Sequence, residues 1–265
     1  MNYAKLAVAL LAVTPAASFA ARAWLLPSQT IVARSGGWVT FDAANSDDLF
    51  SFNQGAMPVD SLSVSGGDGT AVTPQNVARG KTRSSFDLEL RAPGTYRVAV
   101  AGDVVMARWE EDGMPKRWRG TPAEMAANIP ANAARLEVEQ VQRRVETFVT
   151  VGSPTDIKSI GAGLELVPTR HPNDLYAGEA ARFRFLLDGK PAKDLAVEII
   201  AGGTRYRDAP AAMELKTDAD GMISVTWPAP GLYWLEAEVK DEKATVPGVK
   251  KRTAAYDATL EVLPQ

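Results

Sequence analysis

Short runs in which apolar and polar residues alternate, each closed by a glycine or proline turn, govern what this chain can fold into. Over 182–185 the order is Arg-Phe-Arg-Phe. Successive strand side chains point to opposite faces, so this order buries both phenylalanines and solvates both arginines. Comparable runs at 164–168, 182–187, 196–201, 213–217, 224–227, 233–239 and 254–262 predict seven strands. Turns divide them at Asp188-Gly189-Lys190-Pro191, Gly202-Gly203, Asp220-Gly221 and Pro230-Gly231. The expectation for 164–265 is an immunoglobulin-like or transthyretin-like β-sandwich.

The preceding part, 21–151, reads as a second β-sandwich domain. Its strands are expected at 24–33, 38–41, 61–64, 86–90, 96–101, 104–110, 116–119, 135–140 and 145–151, with a hairpin turn over 111–115. One helix should start after Thr121: Thr121 can cap, Pro122 suits the first helical position, Glu124 can complete a capping box, and Pro130 ends it. Residues 152–163 are the expected linker. The two parts share a pattern. Ala92-Pro93-Gly94-Thr95-Tyr96 returns as Ala229-Pro230-Gly231-Leu232-Tyr233, and Ser35-Gly36-Gly37 returns as Ala177-Gly178-Glu179. Duplication and chance recurrence of a common turn both remain open.

Residues 1–20 read as a cleavable export signal: Lys5, a short apolar run over 6–13, then small residues with Ser18 and Ala20 at the −3 and −1 positions. A second cleavage frame ends at Ala23. The apolar run is too short to span a bilayer. A periplasmic protein is therefore expected. The chain is mildly acidic, with net charge −3, and has no basic block to attract nucleic acid or anionic lipid. Cys is 0 and His is 1. That excludes disulfides, Cys-His pairs and chelation by several imidazoles. A Ser-His-Asp triad would have to use His171, and no G-x-S-x-G elbow is present. The chain is expected not to be an enzyme. Glycosidase chemistry needs two carboxylates facing across a cleft, which no sequence pattern here places.

Several residues stand out as candidate sites. His171, in Thr169-Arg170-His171-Pro172-Asn173-Asp174, could join Asp174 as a contact to a divalent metal ion, or could tie strand ends together. Arg205 and Arg207, two apart beyond Gly202-Gly203, would face the same way on a strand and suit an anion. Trp109 and Trp118 combine with neighbouring cations as a ligand or partner surface, or pack between domains. Asp218-Ala219-Asp220-Gly221 starts like a calcium loop but lacks its downstream ligands, so a hairpin turn is expected. Asn45-Ser46-Asp47-Asp48 is an acidic loop that reads as a solvated turn.

The stretches at 146–155, 164–179, 186–191, 217–237 and 256–264, with Trp24–Thr30 and Lys116–Gly120, resemble the domain of unknown function 4198 family. The likeness covers essentially the whole chain after the signal. It implies a transthyretin-like or immunoglobulin-like fold and a non-enzymatic periplasmic component of metal or metal-chelate uptake, for nickel, cobalt or iron. It also implies a partner such as an outer-membrane TonB-dependent receptor or another envelope transport component. The alternative is a structural adaptor that binds an envelope protein through an edge strand or the tryptophan hairpin. This sequence departs from the family where metal capture is suspected. Relatives carry histidine just after the signal and again after the Phe-x-Phe stretch. Here those places read Ala21-Arg22-Ala23-Trp24 and Phe50-Ser51-Phe52-Asn53-Gln54, and only His171 matches.

Overall fold

The computed structural model describes residues 21–265, so the export signal expected over 1–20 lies outside the described residues. The alternating runs fold as expected. In Ala180–Leu187, Phe183 and Phe185 are buried while Arg182 and Arg184 are exposed. The N-terminal half supplies β1 (Arg22–Pro27), β2 (Ile31–Val32), β3 (Gly37–Ser46), β4 (Gly55–Ala56), β5 (Leu62–Ser65), β6 (Gln75–Arg79), β7 (Ser84–Leu90), β8 (Gly94–Glu111), β9 (Met114–Gly120) and β10 (Ala134–Val151). The C-terminal half supplies β11 (Leu164–Pro168), β12 (Ala180–Leu187), β13 (Lys190–Pro191), β14 (Ala196–Ala201), β15 (Met213–Lys216), β16 (Met222–Thr226), β17 (Gly231–Asp241) and β18 (Lys251–Val262). The expected helix is one 3-10 turn, Pro122–Glu124, followed by the short α1 (Met125–Asn128). The Glu124 carboxylate accepts from both the backbone N–H and the hydroxyl of Thr121, each at 2.9 Å.

These strands form three sheets. One has the order β1-β3-β7-β6, with β4 on β3. A second, smaller sheet has the order β11-β12-β13, with β16 on β12. The third has nine strands and runs through both halves, in the order β15-β14-β17-β18-β10-β8-β5, with β2 on β10 and β9 on β8. The halves meet in it through parallel pairing of β10 with β18, from Glu139↔Lys251 to Thr147↔Thr259.

Side-chain parity along β10 and β18 fixes how the layers stack. Val145, Val149 and Val151 of β10 belong to the core under the β1-β3-β7 sheet, with Phe41, Phe86, Tyr96 and Val98. Phe148 points the other way, into the core with Tyr256, Ala258, Leu260, Phe183, Phe185 and Trp227. The two small sheets therefore cover opposite faces of the shared sheet, each over its own half. Each half keeps one face of the shared sheet free of its own cover. A third cluster, with Trp24, Leu49, Ile200 and Trp234, clamps β1 onto the C-terminal half. The Trp234 indole donates to the Ala23 carbonyl at 2.9 Å, and the Trp24 indole to the Ser46 hydroxyl at 2.8 Å.

The sequence pattern shared by the halves has a structural counterpart. Tyr96 donates its hydroxyl hydrogen to the Ala92 carbonyl (3.0 Å), and Tyr233 donates to the Ala229 carbonyl (2.8 Å). Each is a tyrosine reaching back four residues across a corner. Gly36 N–H donates to the Leu90 carbonyl (2.7 Å) and Gly178 N–H to the Trp227 carbonyl (2.8 Å). Both glycines have positive φ, 85° and 80°. Strand pairing repeats too: β1-β3-β7 matches β11-β12-β16, and β5-β8-β10 matches β14-β17-β18. Gly94 faces Val151 as Gly231 faces Val262. The two halves thus share turn hydrogen bonds, strand pairing and register.

Candidate ligand cleft

The C-terminal end of β14 shapes the main candidate site. Gly203 adopts φ 76°, a left-handed conformation that ends the strand and turns the chain into a single 3-10 turn, Thr204–Tyr206. This corrects the expected strand pairing of Arg205 with Arg207. Arg205 reaches the cleft and lies 5.6 Å from the Tyr206 ring centroid, whereas Arg207 bends back to donate to the Ala201 carbonyl. The opposite wall is the loop after β3. Leu49 N–H donates to the Thr204 hydroxyl at 2.9 Å, which ties the two halves together. Phe50 holds φ 60° and lies on Gly202, where a Cβ would come within 3.0 Å of its ring. Trp24 supports the loop from below, 5.6 Å from Phe50 and 5.5 Å from Phe52 between ring centroids. The result is an open cleft of about 850 Å³ lined by Phe50, Phe52, Arg205, Tyr206 and Tyr233. Tyr206 is 82% exposed, the most exposed large hydrophobic residue described. Aromatic faces beside a guanidinium and open glycine backbone suit a flat, anionic organic ligand.

His171 lies elsewhere, at the junction between the halves. Its Nδ1 accepts from the Asn173 N–H at 3.1 Å, and its Nε2 is 2.9 Å from the Thr95 hydroxyl. The chain of hydrogen bonds continues from Thr95 to Thr150 and on to the Asn173 side chain. Burial pushes the imidazole below its usual value, against the opposing pull of Asp174 and Asp156. With both ring nitrogens engaged, His171 ties β8 and β10 to the loop after β11. Asp174 pairs with Arg170 at 3.0 Å. Among the described residues, no group of three or more His, Asp or Glu converges as a metal site.

The other sequence candidates resolve into local structure. Trp118 packs with Val105, Met125, Val138, Val246 and Val249 in a small outlying core, and Trp109 is half-buried on the same hairpin. Asp218 accepts from the N–H groups of Asp220 and Met222, each at 2.9 Å, as a turn does. That turn is not the expected hairpin, because β15 pairs with β14 and β16 with β12, so it carries the chain between sheets. Asp47 and Asp48 accept from Gln54 and Asn53 within their own loop.

Sequence reasoning missed two charged arrays. Glu146 is buried on β10 and receives Arg97, Arg144 and the Tyr256 hydroxyl. Burial alone would raise its carboxyl, but the Arg97 and Arg144 guanidiniums prevail and hold it below the usual range. On the open face of the C-terminal half, Glu214, Glu198, Glu236 and Asp257 stand in direct cross-strand register over β15, β14, β17 and β18. Arg143 bridges Asp257 (2.6 Å) and Glu236 (3.0 Å). Burial and the facing Asp257 carboxylate push Glu236 up to about 7. An acidic residue in each outward strand position was a legible signal, but their common row depends on strand order.

A family model described as a domain of unknown function (DUF4198) matches residues 18–241. No curated protein matches. Among solved structures, the chain is similar to the D0-D1 domain of intimin, at 12% identity, 90% of this chain, 97% of that chain and a TM-score of 0.22. It is similar to the ligand-binding domain of human OSCAR at 14% identity, 91% of this chain, 97% of that chain and a TM-score of 0.22. A DUF3823 family protein from Bacteroides uniformis shows 10% identity over 80% of this chain and 93% of that chain, with a TM-score of 0.25. Scores this low carry no argument about function.

Proposed function

We propose that this chain, which belongs to the DUF4198 family, is a non-enzymatic periplasmic accessory protein that holds a metal chelate during its uptake. The observation that carries the reading is the cleft of Phe50, Phe52, Arg205 and Tyr206, whose chemistry suits an organic anion around a metal better than a bare ion. His171 supports the same distinction, since its ring nitrogens already serve the protein. The nickel, cobalt or iron would arrive inside its chelator, and the chelate would pass to or from an outer-membrane receptor of the TonB-dependent kind.

Isothermal titration with ferric and nickel chelates, and with the free metal ions, tests this. The expected result is saturable binding of a chelate, weakened about tenfold or more by Tyr206→Ala and by Arg205→Ala, changes at exposed positions that leave the core intact. Silence for every ligand, together with unchanged growth of a deletion strain under metal limitation, would overturn it. A structural adaptor is the second reading. It is favoured by β9, whose tip residue Met114 is 63% exposed at the rim of the nine-stranded sheet. Capture of an envelope protein that is lost on Met114→Lys, with no chelate bound, would favour that reading instead.

A further inference from the structure

We infer that a second groove, on the open face of the N-terminal half, binds a small oxyanion such as a phosphate or a short organic acid through the Arg144 guanidinium. The groove encloses about 670 Å³ between the shared sheet and the segment 155–160. Ser63 and Ser65 of β5, Arg97 of β8 and Arg144 of β10 line it on the sheet side, and Thr155 and Lys158 on the other. The far wall is fixed, not draped. Thr155 N–H donates to the Thr95 hydroxyl at 3.1 Å, and Arg97 Nη1 donates to the Lys158 carbonyl at 2.9 Å.

Charge accounting on the sheet side points to an anion. Two guanidiniums share one carboxylate, Glu146, whose oxygens already receive Arg97 twice, Arg144 once and the Tyr256 hydroxyl. Arg97 spends its donors on Glu146 and the Lys158 carbonyl. Arg144 spends only Nε, at 2.6 Å from Glu146. Its two Nη groups have no protein partner among the described residues, although the side chain is only 16% exposed. A half-used guanidinium held rigid by a buried carboxylate presents parallel N–H groups at the spacing of two oxygens on one carboxylate or phosphate. Lys158, exposed on the opposite wall, is a third cationic residue in the lining. Two carboxylates also line the groove. Asp68 is occupied by the Thr70 N–H and hydroxyl, and Asp156 acts on His171. They limit the ligand to one or two negative charges, since a polyanion would meet both.

This site does not depend on the chelate reading of the other cleft. Calorimetric titration of the chain with inorganic phosphate and with succinate tests it and separates the two sources of an oxyanion. The expected result is saturable binding of at least one probe, weakened about tenfold or more by Arg144→Ala. Ser63→Tyr fills the groove from an exposed position and should abolish binding while leaving the melting temperature unchanged. It decides the matter if Arg144→Ala does not fold. Arg182→Ala, at an exposed cation that lines neither cleft, should bind as the wild type does. No saturable heat with either probe, or wild-type binding by Ser63→Tyr, overturns the inference.

Discussion

Glu236 shows what one residue's surroundings do to its charge. It sits between Glu198 and Asp257 in the cross-strand row, and like charges directly opposite destabilise a sheet. Glu238, on the same strand, adds to the repulsion, and Arg143 opposes it. Burial first, and this repulsion after it, keep the carboxyl protonated up to about pH 7 in the folded protein, while the unfolded chain releases the proton near 4.5. Between those values the native state binds more protons, so this group's contribution to stability falls as pH rises and is flat above the window. Glu236→Gln should gain on the order of 1 kcal/mol over the wild type at pH 8, after allowing for solvent screening, and nothing near pH 4.5. Urea denaturation at the two pH values measures it. His171 runs the opposite way. Its burial lowers the folded value below 6.5, so its contribution is complete above the unfolded value and is lost as pH falls through the folded one. The single imidazole in the sequence makes the proton NMR titration unambiguous, and a midpoint at or above 6.5 would contradict the geometry.

At the scale of elements, β10 is the spine. It pairs with β8 along nearly its whole length and with β18 in parallel, and buries Glu146 where the three meet. Arg97→Ala leaves the buried Glu146 carboxylate with Arg144 and the Tyr256 hydroxyl. It should therefore cost about 1.5–3 kcal/mol, the range for hydrogen bonds to a charged group, read as a shift of the denaturation midpoint. The corner tyrosines should matter less. Tyr233→Phe removes one hydrogen bond to the Ala229 carbonyl and should cost about 1 kcal/mol by the same measurement. The seven strands expected over 164–262 are all present, because each carries its own alternation and its own turn. The first half was less legible. Gly102-Asp103 interrupts one run and Gln142-Arg143-Arg144 another, so β8 and β10 each read as two strands. Pairing of one with the other, Arg143↔Gly102 and Gln142↔Asp103 included, carries both through their polar stretches. The cleft was half-visible. Gly202-Gly203 and Arg205 marked one wall, but the Phe50 wall arrives from a loop some 150 residues earlier, a separation that no local pattern encodes.

For the whole molecule, the decisive feature is the sheet common to both sandwiches. Two domains on a flexible linker would melt separately. Here β10 and β18 pair over nine positions, Trp234 donates to β1, and the linker's Ile160 and Gly161 N–H groups are capped by buried Glu165. Scanning calorimetry should show one transition, with calorimetric and van't Hoff enthalpies equal, and two resolved peaks would show that the seam is weak. The position of β18 has a consequence in time as well as in space. It comes last in order among the described strands, yet it lies between β17 and β10, in the middle of the sheet. A chain emerging amino end first must hold two bare strand edges, one on each half, until residues 251–262 arrive to fill the gap. Such edges recruit other strands. The newborn protein is therefore sticky until residues 251–262 emerge, and a chain cut short before them would aggregate instead of folding as a slightly smaller sandwich.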